Sequence, residues 1–410
     1  MSALPKIDPN GLVARTLLAF LATAGLYYVN IMPAIVDGLI EALGFTSQQA
    51  GNVGSANMYG AAAGALTIVF LVKRLKWRPT AFALLTALIL TDLFSMLLAD
   101  PNMLISVRFV HGVIGGGLVG VGFAIIARTV NPDRTFGVLL VVQFGLGGLG
   151  NLYLPRLVPT FGVDVLFIAL ILFSIVTALM IPLLPEYAIE DEKVADESAQ
   201  SGRIAVVPLA LTLAAIFLFQ AGNMGLFAFI IGLGKHYELG VEFITWTLAL
   251  SGWIGILGAV IVIALYTKFG RFRPLLVAMI LTAIGIWVLH FSDNAMIFMV
   301  ANCAMGITWA FVIPYLLGLC SEFDKAGRMA ALGGFASKMG LASGPMVAGA
   351  LVGEANFTLL INVGAIVVLA SLVVSAMPAI RQDRAGADCT PRNRPDDTNG
   401  PDHPQGARDR

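Results

Sequence analysis

Apolar positions in this chain come in long blocks with no strand-like alternation. Stretches of about 20 apolar residues, the length of a helix crossing a bilayer core of about 30 Å, follow one another from end to end, separated by short polar or Pro/Gly-rich breaks. Twelve such segments are read near 12–35, 47–72, 79–99, 103–127, 135–154, 163–184, 206–233, 244–267, 274–291, 295–319, 329–352 and 357–378. The pattern predicts an all-α polytopic membrane protein with twelve transmembrane helices. The longest internal polar stretch, "PEYAIEDEKVADESAQSGR", splits the spans six and six. It reads as a flexible linker, being acidic and free of bulky apolar clusters. The expected organisation is a six-helix bundle over 1–184, a linker over 185–205, a second bundle over 206–380 and a disordered, charged tail over 381–410.

Composition agrees with this reading. Of the 410 residues 58% are hydrophobic and 12% charged, and the mean hydropathy is +0.86. Soluble domains carry roughly a quarter charged residues, so this chain lacks the charge to cover a soluble surface. Cys303, Cys320 and Cys389 form neither a paired pattern nor a metal spacing. Ala22-Thr23-Ala24 resembles a signal-peptidase site, but the apolar stretch runs on to about Ile35, so an uncleaved first helix is expected.

Net charge is zero, yet its layout is lopsided. If the N-terminus is inside, 21 of the 25 lysines and arginines fall in inside loops and ends, and only Arg156 and Lys235 lie outside. This bias predicts cytoplasmic termini in a plasma (inner) membrane, multi-pass.

The two halves repeat. Shifted by 195 residues, "KRLKWRP" meets "KFGRFRP", with Lys73 on Lys268, Lys76 on Arg271, Arg78 on Arg273 and Pro79 on Pro274. Gly60 then falls on Gly255, and a shift of 194 brings Gly112 onto Gly306 and Gly150 onto Gly344. Two six-helix halves so related point to a transporter with a midplane site between them.

These residues resemble the major facilitator superfamily over roughly residues 12–380. The family's basic loop after its second helix keeps its basic residues here but lacks the acid and glycines in the first copy; "YTKFGRFRP" is the closer copy. Its Arg-x-x-x-Gly pattern appears in the fourth span as Arg108 and Gly112. Gly340, Gly344 and Pro345 form a Gly-x-x-x-Gly-Pro element in the eleventh span, whereas the fifth span, where antiporters of the family carry it, has "FGLGGLGN" instead. The resemblance implies two pseudo-symmetric bundles that rock about a central site, usually in a monomer. It also makes Lys73, Lys76, Arg78, Lys268, Arg271 and Arg273 part of the cytoplasmic gating loops; anchoring by positive charge is the alternative.

Ionisable residues within spans are functional candidates by default. Lys338 lies about 15 Å along its helix from Arg328, too deep to snorkel easily, and no acid occurs in the spans of its half. It either sheds its proton and titrates during the cycle, meets an anion in a wet cavity, or bonds carbonyls and waters as packing. Asp92 and Arg108 lie at similar depths on adjacent antiparallel spans; they either pair or leave Arg108 facing the cavity. His111 shares the Arg108 face one turn away. Its ordinary pKa of ~6.5 makes it a proton-coupling candidate, with Asp92 and Lys338. Tyr27, Asn30, Gln143, Gln220, Asn223, Trp253, Asn302 and Trp309 complete a mixed polar and aromatic pocket. Lys338 and Arg108 together would give that pocket a positive excess.

The expected function is a secondary-active carrier of a small organic molecule, an organic anion by that positive excess, coupled to protons. The alternative is an exporter of neutral drugs or metabolites. The chain has no paired carboxylates in its spans, no metal spacing, no Gly-x-Ser-x-Gly and no phosphate loop, so no enzyme, cofactor or nucleic-acid partner is implied. The expected partners are the lipid bilayer, the substrate and protons.

Overall fold

The computed structural model describes residues 7–71, 75–187, 205–265, 268–323, 328–353 and 355–388. Apart from a one-residue bridge between Lys268 and Gly270, every regular element among them is a helix. The first span is broken into α1 (Leu12–Ala24), α2 (Tyr27–Asn30) and α3 (Met32–Leu43). It is followed by α4 (Ser47–Leu71), α5 (Trp77–Ser95), α6 (Pro101–Ile126), α7 (Pro132–Phe161) and α8 (Asp164–Met180). The second half opens with α9 (Val206–Ala228) and α10 (Ile230–His236), again one span in two pieces. It continues with α11 (Val241–Leu265), α12 (Phe272–Trp287), α13 (Ala295–Ser321), α14 (Arg328–Val352) and α15 (Phe357–Asp388). We call the side where α1 begins and α15 ends the terminal side, and the opposite one the far side.

The breaks have local causes. Gly25 lies against the main chain of Gly115 with no room for a Cβ, and Pro33 at the start of α3 has no N–H to continue a ladder, so a new helix begins there. The expected first span ended at 35; α3 carries it to Leu43.

Nine of the described helices are long and apolar enough to cross a membrane. Outward-facing side chains such as Ile263 and Val373, 79% and 73% exposed, form a belt that only lipid can cover. Helices α4 and α14 are rich in Gly and Ala; they pack on each other, and this contact, with that of α7 on α11, joins the two halves. Under the repeat, α4 corresponds to α11 and α7 to α14, so the two junctions are pseudo-symmetric copies.

Within each half the packing relies on backbone approach. Gly112 and Gly116 of α6 meet the main chain of Asn57 and Ala61 on α4, and in the second half Gly258 of α11 meets the carbonyl of Ile307 on α13. Small residues substitute for the hydrophobic drive that lipid removes.

One expectation changes. The tail expected from 381 begins as helix: α15 runs to Asp388 because Asp383 accepts from the main-chain N–H of Arg271 (2.7 Å) and Phe272 (3.0 Å), capping α12. Gln382 also donates to the carbonyl of Leu319 at 2.9 Å. Residues 389–410, the linker from 188 to 204, Lys6 and Lys73 lie outside the described residues. The basic loops, expected to gate, are tied within their own halves: Arg78 to Glu186 at 2.9 Å and Arg271 to Glu322 at 2.6 Å. No described ion pair carries Lys76, Arg78, Lys268, Arg271 or Arg273 across to the other half.

Gly116→Val drives a branched side chain into the α4 backbone, and we expect it to destabilise the protein by about 1–3 kcal/mol or more. Gly137→Ala, at a site with open space on α7, leaves the detergent melting temperature within about a degree or raises it. Fluorescence-monitored melting of the two variants checks the contrast.

Candidate functional site

A cavity of about 230 Å³ lies between the halves, where the broken first span faces the broken seventh. The break regions supply Leu26, Val29 and Asn30 on one side and Leu226, Phe227 and Ile230 on the other. Helix α7 adds Gln143, Phe144 and Asn151; the second half adds Asn223, Ser251, Asn302, Met305, Trp309 and Leu341. Asn30, Gln143, Asn223, Asn302 and Trp309 are therefore where the sequence predicts them. No Asp, Glu, Lys, Arg or His is among the lining residues.

The amides are held in place by the backbone. Asn223 and Asn302 donate to the carbonyls of Phe219 and Phe298, one turn back on their own helices, both at 2.8 Å. Gln143 donates to Asn30 Oδ1 at 3.0 Å, and Asn151 to the main-chain oxygen of Asn30 at 2.8 Å. That carbonyl is near the end of α2, so the helix break supplies the acceptor. Trp309 donates to Gln220 Oε1 at 2.7 Å, and Gln220 donates to Ser337 Oγ at 2.7 Å. Gln220 thus stands behind the wall and fixes the indole that lines it; across the gap that ring meets Phe144 edge-on at 6.1 Å.

Several predicted site residues are elsewhere. Arg108, 0% exposed, donates through Nη1 to Asp92 Oδ1 at 2.8 Å and also to Ser95 Oγ. It lies 4.8 Å over the Phe167 ring. His111 Nε2 stands 3.3 Å from the same Asp92 oxygen, and Asn57 is 2.7 Å from His111 Nδ1. The amide also donates to the carbonyl of Arg108 at 3.2 Å. Asp92, Arg108 and His111 thus form a closed cluster inside the first half, and none of them lines the cavity. Of the two placements open to Arg108, the ion pair is the one formed, because a guanidinium in hydrocarbon has its acid one helix away. Tyr27 stacks on Phe173 at 4.7 Å and also falls outside the lining. Trp253 donates to the carbonyl of Gly145 at 3.3 Å and lines a separate apolar crevice with Phe20, Val141, Leu146 and Leu149.

Lys338 is half-buried on α14 and has no hydrogen-bond or ion-pair partner among the described residues. It lies one turn from Leu341 toward the terminal side, on the face that carries Pro345 into contact with Gly51 of α4. It therefore stands on the face of its helix that looks toward the other half, beside the cavity.

The far side is shut. Lys235 Nζ on α10 binds Asp37 at 2.9 Å and Glu41 at 2.7 Å, both on α3, across the halves. Arg156 on α7 donates to Thr245 Oγ1 at 2.8 Å and to the carbonyl of Glu242 at 3.0 Å on α11. Met346 N–H donates to Ser55 Oγ at 2.8 Å, and the hydroxyls of Tyr59 and Ser343 are 2.7 Å apart. No described hydrogen bond or ion pair joins the halves on the terminal side of Tyr59 and Gly145.

Sequence reasoning missed Asn151, which sits near the expected end of its span. It also missed Asn57, and it placed Lys235 outside without pairing it with Asp37 and Glu41. Opposite charge at the outer ends of the first and seventh spans, the repeat-related pair, was the available signal.

Two pseudo-symmetric helical bundles around a central cavity sealed from one side define a membrane transporter, not an enzyme. The chain belongs to the Major Facilitator Superfamily, whose sequence profile matches residues 16–345. Its fold is similar to the crystal structure of the nucleoside transporter NupG, with TM-score 0.65 and 14% identity, covering 90% of this chain and 99% of that one. It is similar to a D-xylose–proton symporter, with TM-score 0.67 and 16% identity over 88% and 96% of the two chains. A bacterial homologue of the human lysosomal transporter Spinster, in an inward-facing and unoccupied conformation, matches with TM-score 0.64 and 14% identity over 91% and 96%. No functionally curated protein matches the chain.

Removing one partner of the Asp92–Arg108 pair leaves a buried charge uncompensated. We expect Arg108→Met to cost about 3–5 kcal/mol of stability, and Arg108→Met with Asp92→Leu to recover most of it. Unfolding of both variants in mild detergent tests this.

Proposed function

We propose that this transporter carries a small, polar, neutral organic molecule through the central cavity by alternating access. The observation that carries the reading is a lining of amides and aromatics with no ionisable side chain, closed on the far side. A charged solute entering such a site would lose its hydration without gaining a counter-charge. The anionic expectation rested on Arg108 and Lys338 together, and Arg108 is neutralised by Asp92 outside the cavity. An organic anion remains the second reading, favoured by Lys338 alone.

The charge bias between loops supports cytoplasmic termini. On that orientation the described state is inward-facing, and Lys235 with Asp37 and Glu41 latches the outer side. The basic loops would then close the cytoplasmic side in the opposite state. Proton coupling, if the cycle uses it, falls to the His111–Asp92 contact or to Lys338, because the lining itself has no titratable group.

In a chain with Cys303, Cys320 and Cys389 replaced, Asp37→Cys and Lys235→Cys joined by a short bifunctional thiol reagent should hold the far side shut. Uptake into proteoliposomes then falls to background and the separate single variants keep it. Transport surviving the cross-link would reject alternating access at this latch. For substrate charge, a melting-temperature screen with size-matched neutral, anionic and cationic solutes is expected to find neutral ligands that stabilise the native chain and Lys338→Ala alike. A carboxylate that stabilises only the native chain would make the anion the better reading.

A further inference from the structure

We propose that the substrate is recognised through hydrogen bonds it donates, so that it is a neutral molecule bearing several hydroxyl groups, a polyol-like solute. The inference rests on the reading of the central cavity as the substrate site and narrows it.

The argument is an account of donors and acceptors. The Asn223, Asn302 and Asn151 side chains each direct their nitrogen at a main-chain oxygen. A carbonyl oxygen can only accept, so these amides cannot be turned round. The Oδ1 atoms of Asn223 and Asn302 are left without a protein donor among the described residues, while that of Asn151 is unpaired but buried away from the open space. Asn30 donates to the main-chain oxygen of Gln143 at 3.4 Å, and its Oδ1 accepts from the Gln143 amide nitrogen. Gln143 Oε1 is left over in the same way.

The donors, by contrast, are largely consumed. The Trp309 indole N–H is held by Gln220 Oε1, and the Ser251 hydroxyl donates to the carbonyl of Leu248 at 2.9 Å. Each amide nitrogen has already spent one of its two hydrogens. The oxygens of Asn223, Asn302 and Gln143, with two lone pairs each, thus offer more acceptor sites than the one hydrogen left on each amide nitrogen can match. Asn151 Oδ1 is buried without a partner and stays outside this account.

Ligand chemistry follows. A carboxylate or an ether brings only acceptors, so it can use the remaining amide hydrogens but leaves the amide oxygens without a donor. An ammonium brings donors, but no acid lines the site to replace its lost hydration. Hydroxyls on an uncharged frame satisfy the oxygens at no electrostatic cost. Gln143 belongs to the first half, Asn223 and Asn302 to the second, so a solute with donors at both ends binds both halves at once. It binds better when they are close, which ties occupancy to the movement of the bundles.

The test uses the full-length protein in detergent and measures apparent affinity by calorimetry. The probes are sorbitol, myo-inositol and glucose, their permethylated counterparts, and gluconate. The hydroxylated probes are expected to bind and the permethylated ones to fail. Asn302→Leu and Asn223→Leu should each weaken binding by about tenfold. Gly252→Leu, which fills the cavity from a position with room for a Cβ, should abolish binding. If the permethylated probes bind as well as the polyols and Gly252→Leu removes them, the cavity is the site and the donor inference is overturned; gluconate binding as well as the polyols overturns the neutrality of the substrate. Binding indifferent to Gly252→Leu and to both asparagine variants overturns the cavity reading itself. Failure of every hydroxylated probe to bind also overturns the donor inference.

Discussion

In hydrocarbon a polar group must find its partner inside the protein, and this requirement organises the molecule. Backbone groups meet it by forming helices. Where helix is interrupted between α2 and α3, the carbonyl of Asn30 bonds the side chain of Asn151. Charged side chains meet it by pairing: Arg108 takes Asp92, His111 approaches the same carboxylate, and Asn57 fixes the imidazole from α4. The amide side chains that line the cavity keep acceptor oxygens of their own, as those of Asn223 and Asn302 show.

Close backbone contact is the second organising feature. Inside each half, α4 on α6 and α11 on α13 come together through glycines that leave no space for a side chain. Between the halves, α4 on α14 also meets through glycines, Gly51 against the carbonyl of Pro345 and Gly349 against that of Ser47, and hydroxyls and far-side ion pairs are added across the seam. The polar contacts of this seam can be rehydrated when the side opens. Rigid bundles with a re-formable seam are the mechanical requirement for alternating access.

The Asp92–Arg108 pair also shows why residue type alone does not assign a role. At a shift of 194 the position of Arg108 corresponds to Asn302 in the second half, which lines the cavity. The same place in the repeat therefore serves a structural ion pair in one bundle and a ligand-facing amide in the other. What differs is the neighbour: α5 carries an acid at the right depth, and α12 has none.

Much of this was determined by the sequence itself. Block length and charge deficit require membrane helices, the duplication requires two like bundles, and asparagines deep in apolar spans mark the cavity wall, because polarity at that depth is costly enough to be placed only where it is used. Asn30, Gln143, Asn223, Asn302 and Trp309 were legible for that reason. The tertiary structure alone decided which way each polar residue faces. Depth along a helix is one coordinate and rotation about it is another, and an arginine at mid-depth satisfies the sequence pattern whether it meets a substrate or an aspartate. The pairing of Lys235 with Asp37 and Glu41, the closure of the far side and the surplus of acceptor oxygens are likewise relations between helices distant in sequence. They arise from packing, and no local pattern encodes them.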